Sequence, residues 1–105
     1  MYRAAHQLLD TPPVFADPLA LAVVGSDAEA ELRNGSEWHG MSSTGLRAFI
    51  AARSRLAEDT LAAAISRGVT QYVLLGAGLD TFAYRAGANY PALKVFEIDH
   101  PATQA

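Results

Sequence analysis

The sequence predicts an α/β fold: a helical N-terminal part leading into the first two parallel strands of an incomplete sheet. Three observations carry this. Tyr72-Val73-Leu74-Leu75 is an apolar run that ends in Gly76-Ala77-Gly78, as a buried parallel strand does when it enters a tight turn. Lys94-Val95-Phe96-Glu97-Ile98-Asp99 follows as a second strand with a carboxylate at its C-terminal end. Before both, apolar residues recur at spacings of three and four from Leu46 to Ile65, which is a helical period.

The totals fit one small globular domain. The chain has 105 residues, is half apolar and 18% charged, and carries a formal net charge of -3. Mild acidity gives no reason to expect nucleic acid or an anionic membrane as partner. Without cysteine there is no disulfide or thiol chemistry, and the expected setting is the cytoplasm. Apolar runs such as Leu19–Val24 are far shorter than the roughly twenty residues a spanning helix needs. Two parallel strands cannot bury both faces of a sheet, so the chain is expected to be a fragment of a larger domain.

Taken in order, residues 1–10 carry Tyr2, Ala5, Leu8 and Leu9 at helical spacing, and Thr11-Pro12-Pro13 ends that helix. Asp17-Pro18 reads as a cap with proline at the first helical position, opening a short helix over Leu19–Val24 that Gly25 closes. Residues 27–33 continue helical, Asn34-Gly35-Ser36 is a turn, and the segment through Met41 reads as loop. Ser43 or Thr44 then caps a long helix reaching Arg67, with Gly68 just past its end. Its stripe is Leu46, Phe49/Ile50, Arg53, Leu56/Ala57, Leu61 and Ala64/Ile65. Arg53 lies on that stripe, so it must reach the edge or meet an anion. Arg55 points elsewhere, about 200° around the helix. After the first strand, 81–86 forms a short helix capped by Asp80 or Thr81, and 87–91 is a loop. His100-Pro101 ends the second strand.

A strand, a glycine turn and a second strand ending in an acid form the first half of a nucleotide-binding unit. Glycines let backbone approach a ligand closely, a helix start offers free N–H groups, and the carboxylate can accept from both ribose hydroxyls. The dinucleotide fingerprint wants a third glycine where Thr81 stands. Its loss argues against an NAD-type module and suits a mononucleoside ligand such as S-adenosylmethionine. Asp99 is 21 residues after Gly78, at the ribose-binding spacing, with a helix cap or a solvated strand end as the alternative reading. Glu97 shares the Asp99 face and is either a second cofactor contact or paired internally with a residue such as Arg85. Asp80 is either a helix cap or a partner for a cationic group of the ligand. His6, His39 and His100 lack ligand spacing, so no metal site is expected. Neither a Gly-x-Ser-x-Gly elbow nor a Walker lysine is present.

These residues carry a resemblance. Arg3-Ala4-Ala5-His6-Gln7-Leu8-Leu9-Asp10, Asp17-Pro18-Leu19-Ala20, Ala52-Arg53-Ser54-Arg55, Gly76-Ala77-Gly78-Leu79-Asp80-Thr81 and Phe96-Glu97-Ile98-Asp99-His100-Pro101 are similar in order and spacing to the N-terminal part of the leucine carboxyl methyltransferase-like family, in its bacterial members. The resemblance implies a class I, Rossmann-like methyltransferase fold, a helical lid over 1–42 and the first half of an S-adenosylmethionine-binding domain over 43–105. It implies that Arg53 pairs with the cofactor's methionine carboxylate, as a bidentate guanidinium suits. Gly76 and Gly78 would lie against methionine and ribose, and Asp99 would hold the ribose hydroxyls. The expected cofactor-binding set is therefore Arg53, Gly76, Ala77, Gly78, Asp80 and Asp99, with no catalytic residue assigned. The full enzyme would move a methyl group from S-adenosylmethionine to an oxygen of a small molecule or carboxylate, while this chain alone is expected to be inactive. Two rivals stand beside this reading: an NAD-type nucleotide-binding module, and a non-catalytic truncated paralogue acting as an interaction module. The acceptor and the oligomeric state are not legible in these residues.

Overall fold

The computed structural model describes residues 1–35, 41–86 and 88–104. The chain forms two compact units, Met1–Thr60 and Leu61–Ala105, and the division falls inside its longest helix. The loop expected over 36–40 and the loop residue Gly87 lie outside the described residues.

The first unit is built from helices. α1 (Tyr2–Leu9), α2 (Leu19–Val24) and α3 (Ser26–Asn34) pack around Ala4, Ala5, Ala20 and Leu32, with Leu8, Leu9, Leu21 and Val24 against them. Alanines at the contact let short helices approach closely, so a small core forms from little side-chain volume. α1 ends before the prolines, as the sequence predicts. The Asp17 carboxylate accepts from Leu19 N at 3.2 Å and caps α2, and Gly25 separates α2 from α3.

α4 (Met41–Ser66) runs from the first unit into the second and differs from expectation in two ways. It begins at Met41, before the expected start, so Ser43 and Thr44 lie within it rather than capping it. Their hydroxyls accept from Arg47 at 3.1 and 3.3 Å. In its first half the inward line also runs one step round from the predicted stripe: Arg47 and Ala51 are buried, Ser54 and Glu58 half-buried, whereas Leu46, Phe49, Arg53 and Leu56 are exposed. On this inward line the buried Arg47 pairs with Asp10 at 2.9 Å. In its second half the predicted stripe is inward, with Leu61 buried and Ala64 and Ile65 half-buried. The helix closes as predicted: Gly68 N donates to Ile65 O and Val69 N to Ala64 O, the paired bonds of a Schellman end.

In the second unit β1 (Gln71–Leu75) and β2 (Lys94–Ile98) pair in parallel, with Gln71 opposite Lys94 and Leu75 opposite Ile98. Residues alternate between faces along each strand. Tyr72, Leu74 and Val95 turn toward Leu61 and Ile65 of α4 and toward Phe82 and Ala86 of α5 (Phe82–Ala86). The Tyr72 and Phe82 rings meet edge to face with centroids 5.0 Å apart. On the opposite face Val73, Leu75, Phe96 and Ile98 are 46–77% exposed, so one face of this open sheet is uncovered by the described residues. A final short helix, α6 (Pro101–Gln104), follows His100.

Candidate functional site

The C-terminal ends of β1 and β2 carry the glycine turn and Asp99. Leaving β1, the chain reverses through Gly76 at φ +64° and Gly78 at φ +54°. Side chains disfavour that left-handed region by about 1–2 kcal/mol, so glycine is the residue that makes this turn cheaply. The turn is stitched to the tip of β2: Gly76 N donates to Ile98 O at 2.7 Å, and Ala77 N to the same oxygen at 3.4 Å. Gly78 N donates to Asp99 Oδ2 at 2.5 Å, and His100 N donates to Asp99 Oδ1 at 2.7 Å. Two residues 21 positions apart are thereby joined by one hydrogen bond.

Asp80 behaves as the helix cap that one of its two readings requires, its Oδ1 accepting from Phe82 N at 2.8 Å. Thr81, where a dinucleotide site would have its third glycine, is buried, and its hydroxyl accepts from Arg85 Nε at 2.9 Å. A side chain thus fills the space that close helix–strand packing of the NAD kind would need empty. Glu97 sits on the sheet face of Asp99, half-buried, and its Oε1 is enclosed with no hydrogen-bond partner among the described residues. No internal ion pair of Glu97 with Arg85 is present there.

Arg53 belongs to the first unit, whereas the glycine turn and Asp99 belong to the second. Its guanidinium is exposed and lies over the Phe49 ring, 5.9 Å from the centroid. Arg55 pairs with Asp59 on the surface, away from Arg53, as the helical angle predicts.

Sequence reading missed the most heavily bonded cluster in the first unit. Arg47 donates from Nη2 to Asp10 Oδ1 at 2.9 Å and from Nε to Asp10 Oδ2 at 3.1 Å. The His6 ring bonds Asp10 Oδ2 through Nδ1 at 2.8 Å, and its Nε2 accepts from Val14 N and Phe15 N. Gln7 donates to Phe15 O and accepts from Asp17 N, and Arg3 pairs with the buried Asp17 at 3.6 Å. The guanidinium of Arg47 holds the Asp10 carboxyl below its ordinary value; burial opposes this, and His6 adds to it. The i, i+4 spacing of His6 and Asp10 was a usable local signal, but nothing local links Asp10 to Arg47. Among the described residues no group of histidine and carboxylate side chains could hold a metal ion, and no helix is long and apolar enough to cross a membrane.

A family model described as leucine carboxyl methyltransferase matches residues 1–105. The chain belongs to the leucine carboxyl methyltransferase family. Three curated relatives of this family member bear the name "Putative S-adenosyl-L-methionine-dependent methyltransferase". The one from Bacillus subtilis (strain 168), with the suffix YktD, is 33% identical over an alignment of 125 residues that covers 97% of this chain and 40% of the relative. The one from Mycobacterium avium (strain 104) is 41% identical over 102 residues, 84% of this chain and 30% of its own. The one from Mycobacterium bovis (strain BCG / Pasteur 1173P2) is 41% identical over 106 residues, 95% and 29%. The chain therefore spans two fifths or less of the length of these relatives. No solved structure matches it significantly.

Proposed function

We propose that this chain carries the first half of an S-adenosylmethionine site, and that it serves a cytoplasmic methyltransferase of class I, Rossmann-like architecture acting on an oxygen of a small molecule or carboxylate. The observation that carries the reading is the meeting of Gly78 and Asp99 at the C-terminal ends of two parallel strands, where open α/β sheets bind their ligands. The donor set fits. Each Asp99 oxygen accepts one backbone N–H, which leaves further acceptor capacity on both for the two ribose hydroxyls. Gly76, Ala77 and Gly78 present backbone to the methionine and ribose portions, and the family resemblance assigns Arg53, whose side chain is exposed, to the methionine carboxylate. Asp80 orders the start of α5 and so supports the turn from beneath.

When bound, the cofactor would supply an electrophilic sulfonium methyl. The chain's own residues bind and orient it, and methyl transfer depends chiefly on such positioning. The uncovered apolar face of β1 and β2, together with the share of the relatives that the chain spans, supports further helices and strands completing the sheet in a larger parent. On this reading the chain by itself binds without catalysing.

The test is an amide NMR titration of the 105-residue chain with S-adenosylhomocysteine, with NADH as the competing ligand. Resonances of Gly76, Gly78 and Asp99 are expected to shift with the first and ignore the second. A dispersed spectrum indifferent to S-adenosylhomocysteine would overturn the cofactor reading and favour the non-catalytic interaction module. Shifts caused by NADH would favour the dinucleotide reading.

A further inference from the structure

We propose that the backbone amides of Gly78 and His100 are positioning donors, which latch the Asp99 carboxylate to the glycine turn before any ligand arrives. The geometry is closed on both sides. Oδ2 receives the Gly78 amide at 2.5 Å and Oδ1 the His100 amide at 2.7 Å, so rotation of the carboxylate about its own axis would break both bonds. Charge-assisted bonds of this kind are the stronger class. Ile98 O, next to Asp99 in sequence, accepts from Gly76 N and Ala77 N, so turn and strand tip are joined by main chain as well as by side chain. A Cβ on Gly78 would lie 3.8 Å from Asp99 Oδ2, which leaves room; it is the φ of +54° that favours glycine there.

The latch has a consequence that a simple ligand contact does not. A carboxylate is an acceptor at both oxygens, whereas a carboxamide has one acceptor and one donor group. Asp99→Asn keeps size and shape, yet its NH₂ must face one of the two backbone N–H groups. At least one of the two bonds is therefore lost in the absence of ligand. Asp99→Glu moves the carboxylate one methylene further out and fails for geometric reasons. His100→Ala removes only a side chain whose Nδ1 accepts from Ala102 N, and leaves the backbone donor in place. The latch survives it.

The experiment is residue-resolved hydrogen exchange on the ligand-free 105-residue chain. In the parent, the Gly78 and His100 amides are expected to exchange about tenfold or more slowly than unprotected amides, and the Gly78 proton to resonate downfield. Asp99→Ala should release both amides together, and Asp99→Asn at least one of them, while the Leu74 and Phe96 amides of the β1–β2 ladder keep their protection; His100→Ala should leave Gly78 protected. Free exchange of Gly78 in the parent overturns the latch without recourse to any variant, even if Asp99→Ala does not fold. So does unchanged Gly78 protection in a folded Asp99→Ala chain. The identity of the ligand rests on the cofactor reading, but the latch does not. Protection of Gly78 with no response to S-adenosylhomocysteine would sink the former alone, and a response with Gly78 unprotected would sink the latter alone.

Discussion

Replacing Asp10 by Ala is the perturbation that most directly tests how the first unit is held together. Asp10 accepts two hydrogen bonds from Arg47 and lies 2.8 Å from the His6 ring nitrogen. The Arg47 side chain is only 4% exposed, so removing its carboxylate leaves a guanidinium inside the unit facing hydroxyls of Ser43 and Thr44. Breaking a buried pair from one side costs about 3–5 kcal/mol, because the remaining charge stays desolvated. The Asp10 side chain is 20% exposed and water can reach the gap, which puts the expected loss near the lower end, about 3 kcal/mol. That is a large share of the 5–15 kcal/mol a native domain typically possesses. The assay is a urea titration followed through the amide resonances of Ala4, Ala5 and Leu32, the buried core of this unit. A midpoint lowered by about 1 M or more is expected. Adding Arg47→Met to Asp10→Ala should recover part of the loss, since an apolar side chain of similar length tolerates burial without a partner. If Asp10→Ala stays within about 1 kcal/mol of the parent, or the second change brings no recovery, the pair does not hold the first unit together.

Three further outcomes are expected. Because Arg47 lowers the Asp10 value below its ordinary 3.8, the native state binds fewer protons than the unfolded chain near that pH. The pair's contribution is therefore complete above about pH 4 and is lost as pH falls through the lowered native value. The parent's urea midpoint should drop steeply in that acid range, and Asp10→Asn should flatten the profile; parallel profiles would contradict the linkage. Gly76→Ala should destabilise the second unit by about 1–2 kcal/mol from backbone strain alone, since no atom lies within 4 Å of the added Cβ. An unchanged urea midpoint for the Leu74 and Val95 amides would mean that the turn does not depend on φ +64° there. Arg53→Lys keeps the charge but loses the fork, so affinity for S-adenosylhomocysteine should fall in a calorimetric titration; equal affinity would remove the bidentate clamp.

What the sequence determined by itself is the local record. Helix ends at Thr11-Pro12-Pro13 and Gly68, the capped start at Asp17, the two strands and their glycine turn all follow from φ preferences, missing N–H groups and apolar period, which act over a few residues. The placing of the glycine turn and of Asp99 at the ends of neighbouring strands was legible too, from their spacing, whereas the bond from Gly78 N to the Asp99 carboxylate was not. The tertiary structure decided the rest. Period alone placed Arg53 on the inward side of α4, but a neighbouring face turns inward there, and on it Arg47 pairs with Asp10, 37 residues earlier. The two halves of this charge pair carry no mark of each other in the chain. The two readings of Asp80 and of Glu97 were both open in sequence. Only the fold gave Asp80 the Phe82 amide to cap and left Glu97 Oε1 enclosed without a donor, because burial and partners are properties of the packed chain and not of its order.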